Sequence, residues 1–231
     1  MKIYCYLLAA AIGAAACACT EKSNLASPNG NIKVDFRLTK DGVPVYCATY
    51  CGDTVVAPSS LGFDTEQFGS LTGGFKQLSV KHSDFDEIWQ PVWGEFDSIR
   101  NNYRQMVVEL AHKADTADIR MNVEFRVFDD GFAYRYVFPS QKVKELTIID
   151  EKSEFAMTAN HTAWWIPGDY DTQEYEYTRS RLSEIPAKHE AALVGNASAT
   201  PFDKNAVQTS LMMRTDDSTY INIHEAALVD Y

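Results

Sequence analysis

The sequence has 231 residues, 45% of them hydrophobic and 23% charged, and a formal net charge of -11. That is apolar material enough for one large folded domain. The acidic balance excludes a nucleic-acid partner, since neutralising phosphates needs a surplus of Lys and Arg; it suits a neutral substrate, and it suits calcium, which takes clustered carboxylate oxygens.

The chain opens with "MKIYCYLLAAAIGAAACACTEKSN": a cation at Lys2, an apolar run through Ile12, then small residues. This pattern predicts an export signal over residues 1–19, too short to span a bilayer stably. Its end, "AAACAC", resembles a bacterial lipoprotein cleavage box, with Cys17 or Cys19 as the acylated residue; a plain Ala-x-Ala cleavage is the alternative. The expected location is the periplasm, with or without a lipid anchor in the outer membrane. Cys47 and Cys51 then remain in the body of the chain. Four residues along a strand separate Cα atoms by about 13 Å, whereas a disulfide needs less than ~7 Å, so both are expected as free thiols.

Period-two alternation follows. "IKVDFRL" puts Ile32, Val34, Phe36 and Leu38 on one face, "KDG" turns, "VPVYCATY" returns, "CGD" turns again and "TVVAP" begins a third strand. In "MNVEFRVFDDGFAYRYVF", Met121, Val123, Phe125 and Val127 alternate with polar residues. Asp129, Asp130 and Gly131 supply a turn tolerant of positive φ, and Phe132, Tyr134, Tyr136 and Phe138 alternate on the return. Further strands are expected at "QMVVELA", "ELTIID", "TAWWIP", "QTSLMMRT" and "TYINIHEAAL", and one or two helical turns at "SRLSEI". With no linker, repeat or helix between strands, residues 30–231 read as one antiparallel all-β sandwich. "YINIHEAALVDY" ends on an apolar strand without a solvated tail, which is expected of the front part of a longer protein.

Three stretches hold candidate chemistry. In "FDEIWQPVWGEF", Trp89 and Trp93 flank Pro91 among Asp86, Glu87 and Glu95. Either they cap the core from a sheet-edge loop, or they form a sugar platform with carboxylates for the hydroxyls; Arg100 is a candidate partner for Glu95. In "AWWIPGDYDTQEYEYT", Trp164 and Trp165 precede a Pro167-Gly168 turn from which Asp169, Asp171, Glu174 and Glu176 project. The loop is a plausible calcium contributor but lacks the spacing of an EF-hand. In "NIHEA", His224 and Glu225 are adjacent on the expected strand and point to opposite faces. No nucleophile elbow, zinc-protease helix, P-loop or dinucleotide fingerprint occurs.

Taken together, "SPNGNIKVDF", "APSSLGF", "FDEIWQPVWGE", "IRNNY", "FRVFDDGFAYRY", "WWIPGDYDTQEYEYT", "RLSEI", "TPF", "LMMRTDD" and "INIHEAALVDY" resemble the N-terminal domain of glycoside hydrolase family 97. This family comprises bacterial α-glucosidases and α-galactosidases. The resemblance implies a large antiparallel β-super-sandwich of galactose mutarotase type over residues 25–231, incomplete at its C-terminal end and cut before a catalytic (β/α)8 barrel. It implies no catalytic residue in this chain and one calcium ligand, Glu174, with the remaining ligands on the barrel. Trp89, Trp93, Trp164 and Glu225 are the candidate substrate contacts. The implied partners are an α-linked oligosaccharide and the downstream barrel of the same protein. The implied activity is that of an exported, exo-acting and calcium-dependent α-glucosidase, inactive as this piece alone. The alternatives are a freestanding carbohydrate-binding β-sandwich and, since super-sandwich folds also host sugar epimerisation with His and Glu, a mutarotase-like epimerase whose candidates are His161, His224 and Glu225.

Overall fold

In the computed structural model, residues 23–113, 118–143, 145–196 and 198–226 are described; the expected export signal lies outside them. The elements in chain order are β1 (Asn24–Ala26), β2 (Ile32–Leu38), β3 (Pro44–Tyr50), β4 (Asp53–Ser60), β5 (Phe63–Thr65), β6 (Gly69–Leu71), β7 (Phe75–Trp89) and β8 (Ile99–Lys113). They continue with β9 (Asp118–Val127), β10 (Phe132–Val137), β11 (Ile148–Glu151), β12 (Thr162–Trp165) and β13 (Thr178–Arg181). A 3-10 turn (Leu182–Glu184), α1 (Ile185–Ala192), β14 (Leu211–Arg214) and β15 (Tyr220–Ile223) complete the order. All strand pairings described between these elements are antiparallel, as the alternation predicts.

The chain divides into two compact units, each assembled from two separate segments: Met1–Pro44 with Gly74–Glu145, and Val45–Gly73 with Leu146–Tyr231. In the first unit, β10, β9, β8 and β7 form one sheet in that order. The alternation in β9 is realised residue by residue: Ile119, Met121, Val123, Phe125 and Val127 are buried. The paired strands β1 and β2 lie on this sheet, with Phe36 packed on Phe125 at a ring separation of 6.0 Å. Burying such a pair removes large apolar surfaces from water, which is the dominant favourable term in folding.

The turn between β9 and β10 differs from the expected one. None of Asp129, Asp130 and Gly131 has positive φ. The connection is a four-residue loop closed by the Phe128 N–H on the Gly131 carbonyl, a length that ordinary right-handed turns serve. Asp129 instead ties the β1–β2 turn, accepting the Asn29 N–H at 2.8 Å. Between β3 and β4 the mirror-image turn is real: Cys51 (φ 51°) and Gly52 (φ 95°) link the paired residues Tyr50 and Asp53. Cys51 is exposed on that turn and Cys47 buried, and the two are not joined in a disulfide, as expected.

The long β7–β8 hairpin is absent from the sequence-based expectation over most of its length. From Phe85 to Trp89 it pairs only with Ile99–Tyr103, because β9 meets β8 no further out than Arg104. The hairpin therefore ends in a two-stranded arm. Its tip carries Ile88, Trp89, Val92, Trp93 and Phe96, all exposed. Trp93 is 88% exposed and Trp89 46%, so neither caps the core. Arg100 pairs with Asp86 rather than Glu95, through Nε to Oδ1 at 2.8 Å and Nη2 to Oδ2 at 2.7 Å; the two are diagonal neighbours across the hairpin, where Asp86 stands opposite Asn102 and Arg100 opposite Ile88. Phe85 stacks on Tyr103 at 5.0 Å and the Arg126 guanidinium lies 4.6 Å over the same Tyr103 ring, which roots the arm in the sheet.

In the second unit, β13, β12, β14 and β15 form one sheet and β11, β5 and β6 another. On β12 the pleat turns Ala163 and Trp165 inward, fully buried, where they pack with Met213 and Ile185. The Trp165 indole N–H donates to Ser180 Oγ at 3.0 Å, so its one polar group is satisfied inside. The helical turns expected at "SRLSEI" are extended into α1, where Pro186 stands at the start and Ile185 and His189, four apart, face inward. β15 ends at Ile223, so His224 and Glu225 follow the strand instead of lying on it.

Candidate functional site

The candidate residues fall into separate environments. Trp89 and Trp93 belong to the arm of the first unit; Trp164, Glu174 and Glu225 belong to the second. Trp164 occupies the opposite face of β12 from Trp165, stacked on Tyr220 at 6.4 Å with the Arg179 guanidinium 5.6 Å over its ring. A sugar would have to displace these groups to use that face. Glu225 is exposed. His161 is buried, 3% exposed, beside Thr158, and is out of reach of a sugar. A concavity of about 590 Å³ lies at Leu38–Asp41 with Ser23 and Gln77 and contains none of the candidate residues.

The Glu174 loop has the most construction. Beyond β12 the chain does not turn away at Pro167-Gly168 as expected; it runs against residues 200–208 in an irregular antiparallel ladder. Pro167 bridges Val207 and Asp169 bridges Pro201. The Gly168 N–H donates to the Ala206 carbonyl at 2.9 Å, and Gln208 N–H to the Ile166 carbonyl at 3.2 Å. A Cβ on Gly168 would lie 2.8 Å from Ala206 Cβ, so glycine serves close packing here, not a bend.

Asp169 then shapes the loop. Its Oδ1 accepts the N–H groups of Asp171 (2.8 Å) and Thr172 (3.0 Å), an Asx-type turn. Its Oδ2 accepts the Tyr175 hydroxyl and the Thr200 N–H, each at 2.6 Å. Burial by itself would raise this carboxyl's pKa. The Tyr175 hydrogen bond and the three backbone N–H groups outweigh that and hold it at about 2. Burial and the hydrogen bond to the Asp169 carboxylate push the Tyr175 phenol up to about 12.

Glu174 sits between these anchors. Its N–H donates to Thr172 Oγ1 at 3.0 Å, and its carbonyl accepts from Asn196 Nδ2 at 3.2 Å. Gln208 Nε2 donates to the Thr172 carbonyl at 2.7 Å. The backbone of Glu174 is pinned on both sides, while its carboxylate is exposed and makes no hydrogen bond or ion pair with the described residues. Beside the loop, exposed Tyr170 meets exposed Phe202 edge-on at 5.4 Å. Sequence reasoning singled out Glu174 but not Asp169, Tyr175, Asn196 or Gln208 as its supports. The Asp-x-Asp-Thr spacing was the one local signal of an Asx turn.

A free carboxylate oxygen is a hard donor of the kind calcium takes, but a cage needs about six to eight oxygens. Among the described residues, no group of three or more His, Cys, Asp or Glu is placed to hold a metal. Glu174 fits calcium as one ligand of a set.

The Asp169 carboxyl sets an acid limit on this geometry. Its folded pKa, about 2, lies below the ordinary 3.8. The stabilisation is therefore complete above about pH 4 and is lost as the pH falls toward 2. For Tyr175 the sign is opposite: its contribution is present below pH 10.0 and lost as pH rises toward about 12. Pepsin cleavage within residues 170–176 is expected to begin only as pH approaches 2, and at higher pH in a Tyr175→Phe variant. Cleavage of the wild type at pH 4 would contradict the assignment.

The fold is antiparallel and nearly all β, and its most constructed loop presents a carboxylate from a pinned backbone. The chain belongs to glycoside hydrolase family 97: residues 25–231 match the family's N-terminal domain, described as Glycosyl-hydrolase 97 N-terminal. It is 29% identical over 202 residues to a retaining alpha-galactosidase of Bacteroides thetaiotaomicron, covering 80% of this chain and 28% of that protein. A family 97 enzyme from Pseudoalteromonas sp. strain K8, solved in complex with acarbose, superposes with a TM-score of 0.75 at 29% identity. The match covers 90% of this chain and 29% of that one. A variant of an enzyme of that family and strain, in complex with panose, gives a TM-score of 0.74 at 30% identity with the same coverage. A beta-arabinopyranosidase shares the fold, with a TM-score of 0.72 at 18% identity. The chain thus spans less than a third of the length of these relatives. The N-terminal domain of the family 97 structures is a β-sandwich, in agreement with the fold class read from the sequence.

Proposed function

We propose that this chain is the N-terminal part of an exported, exo-acting α-glycosidase, and that Glu174 completes a calcium site whose other ligands lie on a catalytic barrel elsewhere in the same polypeptide. The observation that carries the reading is Glu174 itself: a backbone held at N–H and carbonyl, and an exposed carboxylate with no partner among the described residues. Calcium bound there would supply charge stabilisation and orientation of sugar hydroxyls. The chain's own contribution is to fix one donor oxygen and to tie the sandwich to the barrel mouth. Bond cleavage would rest on two carboxyl groups of the barrel, and no residue of this chain takes that role.

The substrate proposed is an α-linked glucose oligosaccharide. Panose, found in one neighbour, is a trisaccharide of α-linked glucose, whereas the retaining alpha-galactosidase is the relative that supports an α-galactoside instead. Export, the periplasmic location and the lipid anchor are proposed on the N-terminal residues alone. Calcium titration of the 231-residue chain should give at most millimolar affinity, with much tighter binding to the full-length protein. Micromolar binding by the chain alone would sink the shared site.

The exposure of Trp89 and Trp93 favours a second reading, in which the arm of the first unit is a carbohydrate platform. Calorimetry with maltooligosaccharides should then detect weak binding that Trp93→Ala removes while stability changes by less than about 0.5 kcal/mol. Binding unchanged in Trp93→Ala would remove the arm from consideration.

A further inference from the structure

The geometry points to Asp169 as the positioning residue of the Glu174 loop: it does not ligate the ion, and it fixes the backbone that presents the carboxylate which does. This rests on the calcium reading above. Four carboxylates stand close together in this stretch, and proximity alone would make any of them a ligand. The hydrogen bonds set Asp169 apart from the other three.

A carboxylate has about four lone-pair positions. All four of Asp169 are occupied: Asp171 and Thr172 N–H on Oδ1, Tyr175 hydroxyl and Thr200 N–H on Oδ2. Each donor turns the positive end of its dipole toward the carboxylate, so a cation approaching it meets four positive ends. The donors themselves come from both sides of Glu174 and from the facing segment. Asp171 and Thr172 precede it, Tyr175 follows it, and Thr200 belongs to the segment that also supplies Asn196 and Gln208. One anion thereby closes a ring whose free point is the Glu174 side chain. Asparagine in its place keeps the shape and one acceptor oxygen, but its amide nitrogen cannot accept from Tyr175 or Thr200. That side of the ring must open.

The test is a double-mutant cycle in the full-length protein, read by calcium calorimetry with the metal alone. Asp169→Asn should weaken calcium binding about 10–100-fold, the range for groups that orient a metal ligand. Tyr175→Phe, which removes one of the four bonds, should weaken it less. In a Glu174→Ala background, Asp169→Asn should have no further effect, because the loop then has no donor oxygen to present. Excess calcium should restore the activity of Asp169→Asn, which a general loss of structure would not allow. Two results overturn the proposal: Asp169→Asn within twofold of wild type while Glu174→Gln binds weakly, or effects that simply add. If Glu174→Gln leaves calcium affinity unchanged, the calcium reading fails by itself. Hydrogen exchange then decides the positioning role: faster exchange at Asp171, Thr172 and Thr200 in Asp169→Asn, with global unfolding unaltered, supports it, and unchanged exchange refutes it.

Discussion

Trp165→Ala is expected to lower the unfolding free energy of the second unit by about 3–5 kcal/mol, the range for truncating a buried tryptophan. The indole is fully buried, packs with Ala163, Ile185 and Met213, and is hydrogen-bonded to Ser180. Removing it deletes apolar contacts and leaves a cavity that the sheet on one side and α1 on the other cannot both close. Trp165→Phe should cost less, because the ring refills most of the space. Ser180 Oγ still donates to the Arg181 carbonyl at 2.8 Å. Urea unfolding followed by far-ultraviolet circular dichroism would measure both. A cost below about 1 kcal/mol for the alanine variant would mean that this cluster does not hold the unit together. The effect should also reach function, since Ile166 and Gly168, just beyond Trp165, begin the ladder that seats the Glu174 loop.

Glu174→Gln is expected to have the largest functional effect, about 100-fold or more in calcium affinity of the full-length protein, with activity falling in parallel. Glutamine preserves length and shape, and both backbone anchors of residue 174 are independent of the side chain, so stability should shift by less than about 0.5 kcal/mol. What is lost is the negative charge and one hard oxygen donor, and calcium affinity follows the charge count of its ligands. Calorimetry and a glycosidase assay on the same preparation would test the coupling. Activity that falls while calcium affinity holds would place Glu174 on the substrate instead.

The strands that alternate were legible from the sequence because one face is buried: β2 and β9 announce themselves through Ile32, Val34 and Phe36, and through Met121, Val123 and Phe125. β7 was not. Of its fifteen residues only Phe75 is buried, so no alternation had to be kept. The tryptophans at its end were read as core or platform, and their exposure removes the first option. In the site, local chemistry is visible at Asp169, Asp171 and Thr172. The bond from Thr200 is not, because it comes from 31 residues away through a ladder with no strand-like sequence. Glu174 was selected by family resemblance; that its carboxylate is exposed and meets no partner among the described residues is a structural fact that no composition could give.

The threading of the second unit governs its birth. On a ribosome, Val45–Gly73 emerges first and can close the β3–β4 and β5–β6 hairpins at once. Its partners Ala156, Glu154 and β11 do not exist until the whole intervening segment Gly74–Glu145 has been made. At roughly 5–20 residues per second this leaves the edge of β5 that takes β11 unpaired for several seconds. Such long-range closure is slow to form and exposes strand edges while it waits. A chaperone that shields a nascent hairpin therefore has a defined interval in which to act on this chain, and that interval ends when Leu146 and the residues after it arrive.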